Sequence, residues 1–205
     1  MSRRVLVLFA HPALQMSRIN QRLMREPQAV PGVTFHDLYE AYPRFDVDVA
    51  REQQLLTDHD VIVFQHPMYW YSTPSILKEW QDLVLEHGWA YGSQGTALHG
   101  KRWLHVITTG GKEAAYCSEG YAGFTVRQLL APLEQTAKLC GMTFLSPFLV
   151  HGAHSIDAAG IEQHAQDYHD VLQALVDDRV DEEAAASLPR MNCELSRVIL
   201  QPKGA

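Results

Sequence analysis

Cysteine is scarce in this 205-residue chain: Cys117, Cys140 and Cys193 stand far apart and no C-x-x-C spacing occurs. That excludes a disulfide framework and a thiolate zinc site, and it suits a reducing compartment. Basic residues are outnumbered, 17 against 24 acidic, for a net charge of −7 with histidine neutral. Without a clustered basic face, no nucleic-acid partner is expected. No apolar stretch approaches the roughly 20 residues of a membrane span. Ser2-Arg3-Arg4 precede an apolar run from Val5 to Ala10, but His11-Pro12 ends it too early for a signal peptide, so a cytoplasmic location is expected. The chain also lacks G-x-G-x-x-G and G-x-x-x-x-G-K-[ST], which disfavours a dinucleotide fold of that type and a nucleoside triphosphatase. No G-x-S-x-G elbow surrounds Ser17, so it is not a hydrolase nucleophile. His151-Gly152-Ala153-His154 is a tight histidine pair, yet zinc wants three or four ligands and no third joins it; no metal site is expected.

What is present is an ordered alternation. Val5-Leu6-Val7-Leu8-Phe9-Ala10 and Val61-Ile62-Val63-Phe64-Gln65 are continuous apolar runs, the mark of strands covered on both faces. Val33–Leu38 alternates and predicts a more exposed strand. Trp103–Thr109 is expected as a fourth strand, and Thr143–Val150 as a fifth, interrupted by Pro147. Helices are predicted over Ser17–Ala29, Asp48–Asp58, from Pro74 to about Glu86, over Phe124–Leu139 with a break near 131 from Pro132, and over Asp157–Val176. The four glycines between 87 and 100 mark a long loop. Strands alternating with helices predict an α/β fold, a five-stranded parallel sheet of order 2-1-3-4-5 with helices on both faces. Residues 1–177 form that domain. Residues 178–205 carry no strong period and are expected to be a C-terminal extension or partner-dependent arm.

In this topology the ligand crevice lies at the carboxyl ends of strands one, three and four, beside the switch point. Three unusual loops fall there. His11 to Asn20 leads into a helix, whose free amides with Ser17 and Arg18 suit a phosphate; Ser17 reads equally as an N-cap. Gln65 to Pro74 holds Tyr69-Trp70-Tyr71 between prolines, a flat platform for a ring system or else an apolar plug or dimer contact. Thr108 to Tyr116 holds Gly110-Gly111, which lets backbone approach a ligand edge or simply makes a turn. His11 and His66 lie at strand ends, where they either touch substrate or hydrogen-bond loop backbone. A phosphate cradle, an aromatic wall and close-approach backbone together fit a phosphorylated flat heterocycle, best of all flavin mononucleotide (FMN).

At these residues the chain resembles the flavodoxin-like NAD(P)H:quinone oxidoreductase family. The likeness runs through Ala10-His11-Pro12, Glu52-Gln53, Val63 to Tyr71 with Pro74, Ile76 to Trp80, and Thr108-Thr109-Gly110-Gly111 with Tyr116. Asp37-Leu38-Tyr39, His87 to Gly92, Gly95 to Lys101 and Leu145 to Phe148 resemble the bacterial ancillary proteins of glutathione-regulated potassium-efflux systems. The resemblance spans roughly residues 4–175. It implies a homodimer with FMN in sites formed across the interface, NAD(P)H as co-substrate, and two-electron ping-pong transfer to a quinone or other small electrophile. It places His11, Ser17, Arg18, Ile19 and Asn20 around the phosphate and ribityl chain. Pro67, Met68, Tyr69, Trp70 and Tyr71 would wall the isoalloxazine. Thr108, Thr109, Gly110, Gly111 and Tyr116 would meet its pyrimidine edge, with Gly110, Gly111 and Tyr116 as the catalytic donors. FAD is possible, but the longer C-terminal domain that holds adenine in the animal quinone reductases is absent, which favours FMN. Their histidine six residues beyond the matching tyrosine is replaced by Ala122. The ancillary likeness carries an alternative: a regulatory subunit that activates a membrane potassium/proton antiporter, peripheral to the inner membrane face, with redox activity secondary.

Overall fold

The computed structural model describes residues 2–201. In chain order its elements are β1 (Val5–Phe9), α1 (Arg18–Leu23), α2 (Arg25–Ala29), β2 (Val33–Asp37), α3 (Leu38–Ala41), α4 (Val49–Asp58), β3 (Val61–Pro67) and α5 (Ser75–Val84). They continue with β4 (Arg102–Thr108), α6 (Val126–Leu129), α7 (Ala131–Leu139), β5 (Thr143–Phe144), β6 (Phe148–Val150), α8 (Ala158–Val176), α9 (Glu182–Ser187) and α10 (Leu195–Val198). All strand pairings within the sheet are parallel and the order is β2-β1-β3-β4-β5, with β6 continuing beside β4. β5 and β6 are the expected fifth strand, split around Pro147, which has no amide to give the ladder. This is the strand order, with helices on both faces, that the sequence predicts.

Strand residues alternate between two cores because the side-chain period is two. Val5 and Val7, Val61 and Val63, and Leu104 and Val106 face α1 and α8. Leu6 and Leu8, Ile62 and Phe64, and Trp103 and Ile107 face α3, α4, α5 and α7. The second core is pinned by a buried carboxylate. Glu52 accepts from His36 Nε2 (2.8 Å), the Tyr42 hydroxyl (2.5 Å) and Trp80 Nε1 (2.8 Å), joining β2, α4, α5 and the residue that caps the end of α3. Burial alone would raise this carboxyl; the three donors outweigh it and hold it below the usual range.

Two expectations change. The helix from Ser17 to Ala29 divides at Met24, because Pro27 offers no N–H to the Leu23 carbonyl one turn back. The segment from 178 is no free arm: it packs on the α8 face. Ala185, Met191 and Val198 are buried there. Arg102 on β4 binds Asp178 (2.8 Å) and Glu182 (2.6 Å). Asn192 accepts from the Leu149 amide (3.0 Å) and donates to its carbonyl (2.9 Å), so one side chain completes the outer ladder of β6 as a further strand would.

Candidate functional site

The carboxyl ends of β1, β3 and β4 open into one crevice with a cavity of about 340 Å³. The first loop contributes His11, Ser17, Arg18 and Asn20, the second Pro67, Met68 and Tyr69, and the third Thr108 and Gly110. All three expected loops therefore meet. Ala153 and His154, from the turn after β6, also line the cavity, and these the sequence reasoning missed. The signal was the His151–His154 motif, weighed only as a metal pair. The structure divides that pair: His151 bonds Thr109, while His154 lies against Gly110.

Ser17 caps α1, accepting from the Asn20 amide (3.3 Å) and from Asn20 Nδ2 (3.0 Å). Two acceptances leave its hydroxyl proton free, so the cap does not use up the donor a ligand would need. Asn20 Nδ2 also donates to Thr108 Oγ1 at 2.9 Å, tying the first loop to the third. Its Oδ1 is then a buried acceptor without a partner, on a residue only 1% exposed. Arg18 is held across the cavity by a bond from Nη2 to the Ile156 carbonyl (3.1 Å). The Ile19 side chain packs into the core, leaving only its backbone to the site. His11 Nδ1 accepts the Ala13 amide (3.2 Å), which puts its proton on Nε2; burial lowers its pKa.

The second loop is fastened by the Met68 amide to the Thr108 carbonyl (2.8 Å). Tyr69 and Ser72 exchange two bonds of 3.0 Å, closing a tight turn. Its central residues, Trp70 (φ 50°) and Tyr71 (φ 63°), are both left-handed. Asn-Gly is the usual pair for such a turn; two aromatics there carry roughly 1–3 kcal/mol of strain each. The turn lifts Trp70 into solvent, 94% exposed, so it does not line the cavity, and neither does Tyr71.

Beneath this loop runs a buried relay. Trp103 Nε1 donates to His105 Nε2 (2.7 Å), His105 Nδ1 meets His66 Nε2 (3.0 Å), and His66 Nδ1 meets the Pro67 carbonyl (3.0 Å). An indole N–H only donates and a carbonyl only accepts, so both tautomers are fixed and every bond points toward Pro67. Burial pushes His66 down to about 4 and His105 well below its ordinary value, so both are neutral. His66 thus takes the backbone-bonding role, while His11 bonds the Ala13 amide and also lines the cavity, with Nε2 unpaired among the described residues.

In the third loop, the Gly110 and Gly111 amides donate to no protein acceptor among the described residues. A Cβ on Gly110 would lie 3.2 Å from His154 Nε2, and one on Gly111 3.1 Å from the Tyr116 ring. A side chain at either position would crowd its neighbour by a few tenths of an ångström. Thr109 is wholly buried; its hydroxyl donates to the Gly111 carbonyl (2.8 Å). Tyr116 stands outside the cavity lining, its hydroxyl near Gly111 and its ring 5.6 Å from that of His151.

The donor set fits FMN: a free Ser17 hydroxyl and a cation for phosphate, an orphan Asn20 acceptor for a ribityl hydroxyl, and the unused Gly110 amide, with that of Gly111 next to it in the chain, for a polar ring edge. No helix among the described residues is long and apolar enough to cross a membrane.

Comparison with known proteins agrees. A family profile described as flavodoxin-like fold matches residues 3–172. The glutathione-regulated potassium-efflux system ancillary protein KefG of Serratia proteamaculans is 49% identical over 170 residues, covering 83% of this chain and 93% of that protein. The crystal structure of general stress protein 14 from Treponema denticola, in complex with FMN, is 38% identical with a TM-score of 0.78, covering 84% of this chain and 99% of that one. An NADPH-quinone reductase from P. pentosaceus is 30% identical with a TM-score of 0.75, covering 82% and 96%.

Proposed function

The chain belongs to the flavodoxin-like-fold family, and from that premise we propose that it is an FMN-dependent NAD(P)H:quinone oxidoreductase working by ping-pong two-electron transfer. The observation that carries the reading is the unpartnered, buried Asn20 Oδ1, on a residue that lines the same crevice as Ser17, Arg18 and Gly110. A buried acceptor left unpaired costs about 1–3 kcal/mol, which a ligand hydroxyl relieves. The FMN-bound relative and the NADPH-quinone reductase support the same chemistry.

When bound, FMN supplies the two-electron redox step between nicotinamide and quinone. The chain supplies the rest. Ser17 and Arg18 hold phosphate, and Asn20 accepts from the ribityl chain. Pro67, Met68 and Tyr69, held at fixed height by the relay under Pro67, form one wall and exclude water. The Gly110 and Gly111 amides and the Tyr116 hydroxyl offer donors to the ring edge where negative charge collects on reduction. NAD(P)H and the quinone use the open face in turn. The chain works as a homodimer, which gives the exposed Trp70, Tyr121 and Phe124 a partner surface.

The test is spectroscopic. The purified chain is expected to show a flavin spectrum that NADPH bleaches without oxygen and menadione restores. A colourless protein that takes up no FMN overturns the reading. The potassium-efflux relative favours a second role, as an ancillary subunit on a membrane antiporter. Co-purification with an antiporter, and faster potassium efflux in its presence, test that role.

A further inference from the structure

A second cavity, of about 590 Å³, opens beside Tyr116 and His151. Ser17, Asn20, Pro67, Thr108 and Gly110 take no part in it. Tyr116, Val126, Ala131 and Leu149 wall it from the domain, and Pro189 and Cys193 from the C-terminal segment. That segment lies beyond residues 3–172, so the cavity is completed by a part of the chain the family does not define. Its size falls within the range of about 300–1,000 Å³ typical of small-molecule sites.

The walls dictate what enters. They are largely apolar, and the charges at the cavity are paired: Arg190 with Glu113 (2.9 Å) and Arg127 with Glu134 (3.5 Å). Neither an anion nor a cation is called for. His151 supplies the polar contact. The Thr109 hydroxyl spends its one proton on the Gly111 carbonyl, so its 3.0 Å contact with His151 Nδ1 requires the ring proton on Nδ1. His151 Nε2 is then a bare acceptor with no donor among the described residues. Burial, and next the charge of Arg190, lower the His151 pKa.

An apolar pocket with a bare acceptor selects an O–H carried on an apolar ring. We infer that the C-terminal segment completes a binding pocket for a neutral hydroxylated aromatic of one or two rings, whose O–H donates to His151 Nε2. The two cavities share no wall residue; Tyr116, assigned above to the flavin edge, walls this one, so the arms with and without FMN separate the two readings.

Equilibrium dialysis of the full chain against 2-naphthol, with and without FMN, tests it. One equivalent binds saturably under both conditions. The methyl ether, 2-methoxynaphthalene, which keeps the rings and loses the O–H, binds at least tenfold more weakly, as does the anion 2-naphthoate. His151→Phe abolishes binding and His151→Gln, which returns an acceptor, keeps it within about threefold. Ala131→Trp fills the cavity and blocks binding with His151 intact, which covers misfolding of the phenylalanine variant. Absence of saturable binding, equal affinity for the methyl ether, or displacement of 2-naphthol by FMN overturns the inference.

Discussion

His105 Nδ1 donates to His66 Nε2 across 3.0 Å, in an interior where neither ring reaches water. The pair is the middle of a one-way hydrogen-bonded line from the Trp103 indole to the Pro67 carbonyl at the crevice. Replacing His105 by Phe orphans the Trp103 N–H and the His66 Nε2 together. Each buried unsatisfied group costs about 1–3 kcal/mol. Urea unfolding of His105→Phe is expected to show a loss of a few kcal/mol; an unchanged midpoint contradicts the relay.

The same pair sets a pH dependence. The His66 pKa falls from 6.5 to about 4 in the folded chain, with burial as the main cause. The unfolded chain therefore takes up the proton first as pH drops. The contribution to stability is complete above 6.5, is lost between 6.5 and about 4, and then levels off. The depression corresponds to roughly 3 kcal/mol, and His105 adds in the same direction. Urea midpoints at several pH values across this window measure the decline; a flat profile refutes it.

Asn20→Leu keeps the side-chain bulk and removes the unpartnered acceptor. FMN affinity is expected to drop at least tenfold, about 1.4 kcal/mol. Quenching of flavin fluorescence on titration reads the change, and wild-type affinity would remove Asn20 from the site.

Tyr116→Phe deletes one donor beside Gly111. Reduction by NADPH is expected to slow about tenfold, roughly 1.4 kcal/mol of barrier, with flavin content unchanged. Stopped-flow bleaching decides; an unaltered rate would leave Tyr116 a packing residue.

The left-handed pair Trp70–Tyr71 is held against its preference. The double variant Trp70→Asn with Tyr71→Gly is expected to unfold at a higher temperature, having shed roughly 1–3 kcal/mol of strain per residue. It is also expected to dimerise and turn over less well. Calorimetry together with light scattering checks both halves, and a lower melting temperature would show that the turn is not strained.

Much of this was legible in the residues. The unbroken apolar runs of β1 and β3 announced a sheet covered on both faces, and Pro132 and Pro147 marked the breaks between α6 and α7 and between β5 and β6. The convergence of the first three loops followed from strand order alone. Other features are non-local. The His66–His105 contact depends on the parallel register of β3 and β4. Asn192 reaches Leu149, 43 positions away, from a segment with no helical or strand period of its own. Ala153 and His154 entered the crevice because β6 delivers its following turn to the same end of the sheet as β1 and β3. The division at Met24 was also written in the chain, in Pro27, but was passed over.

Asn192 has a practical corollary. A recombinant version trimmed where the family likeness stops would strip Leu149 of both its partners and uncover the apolar seam that Met191 and Val198 close. Such a fragment would offer its open ladder to neighbouring copies and precipitate or be degraded. The portable unit here is the folding module with its terminal clasp.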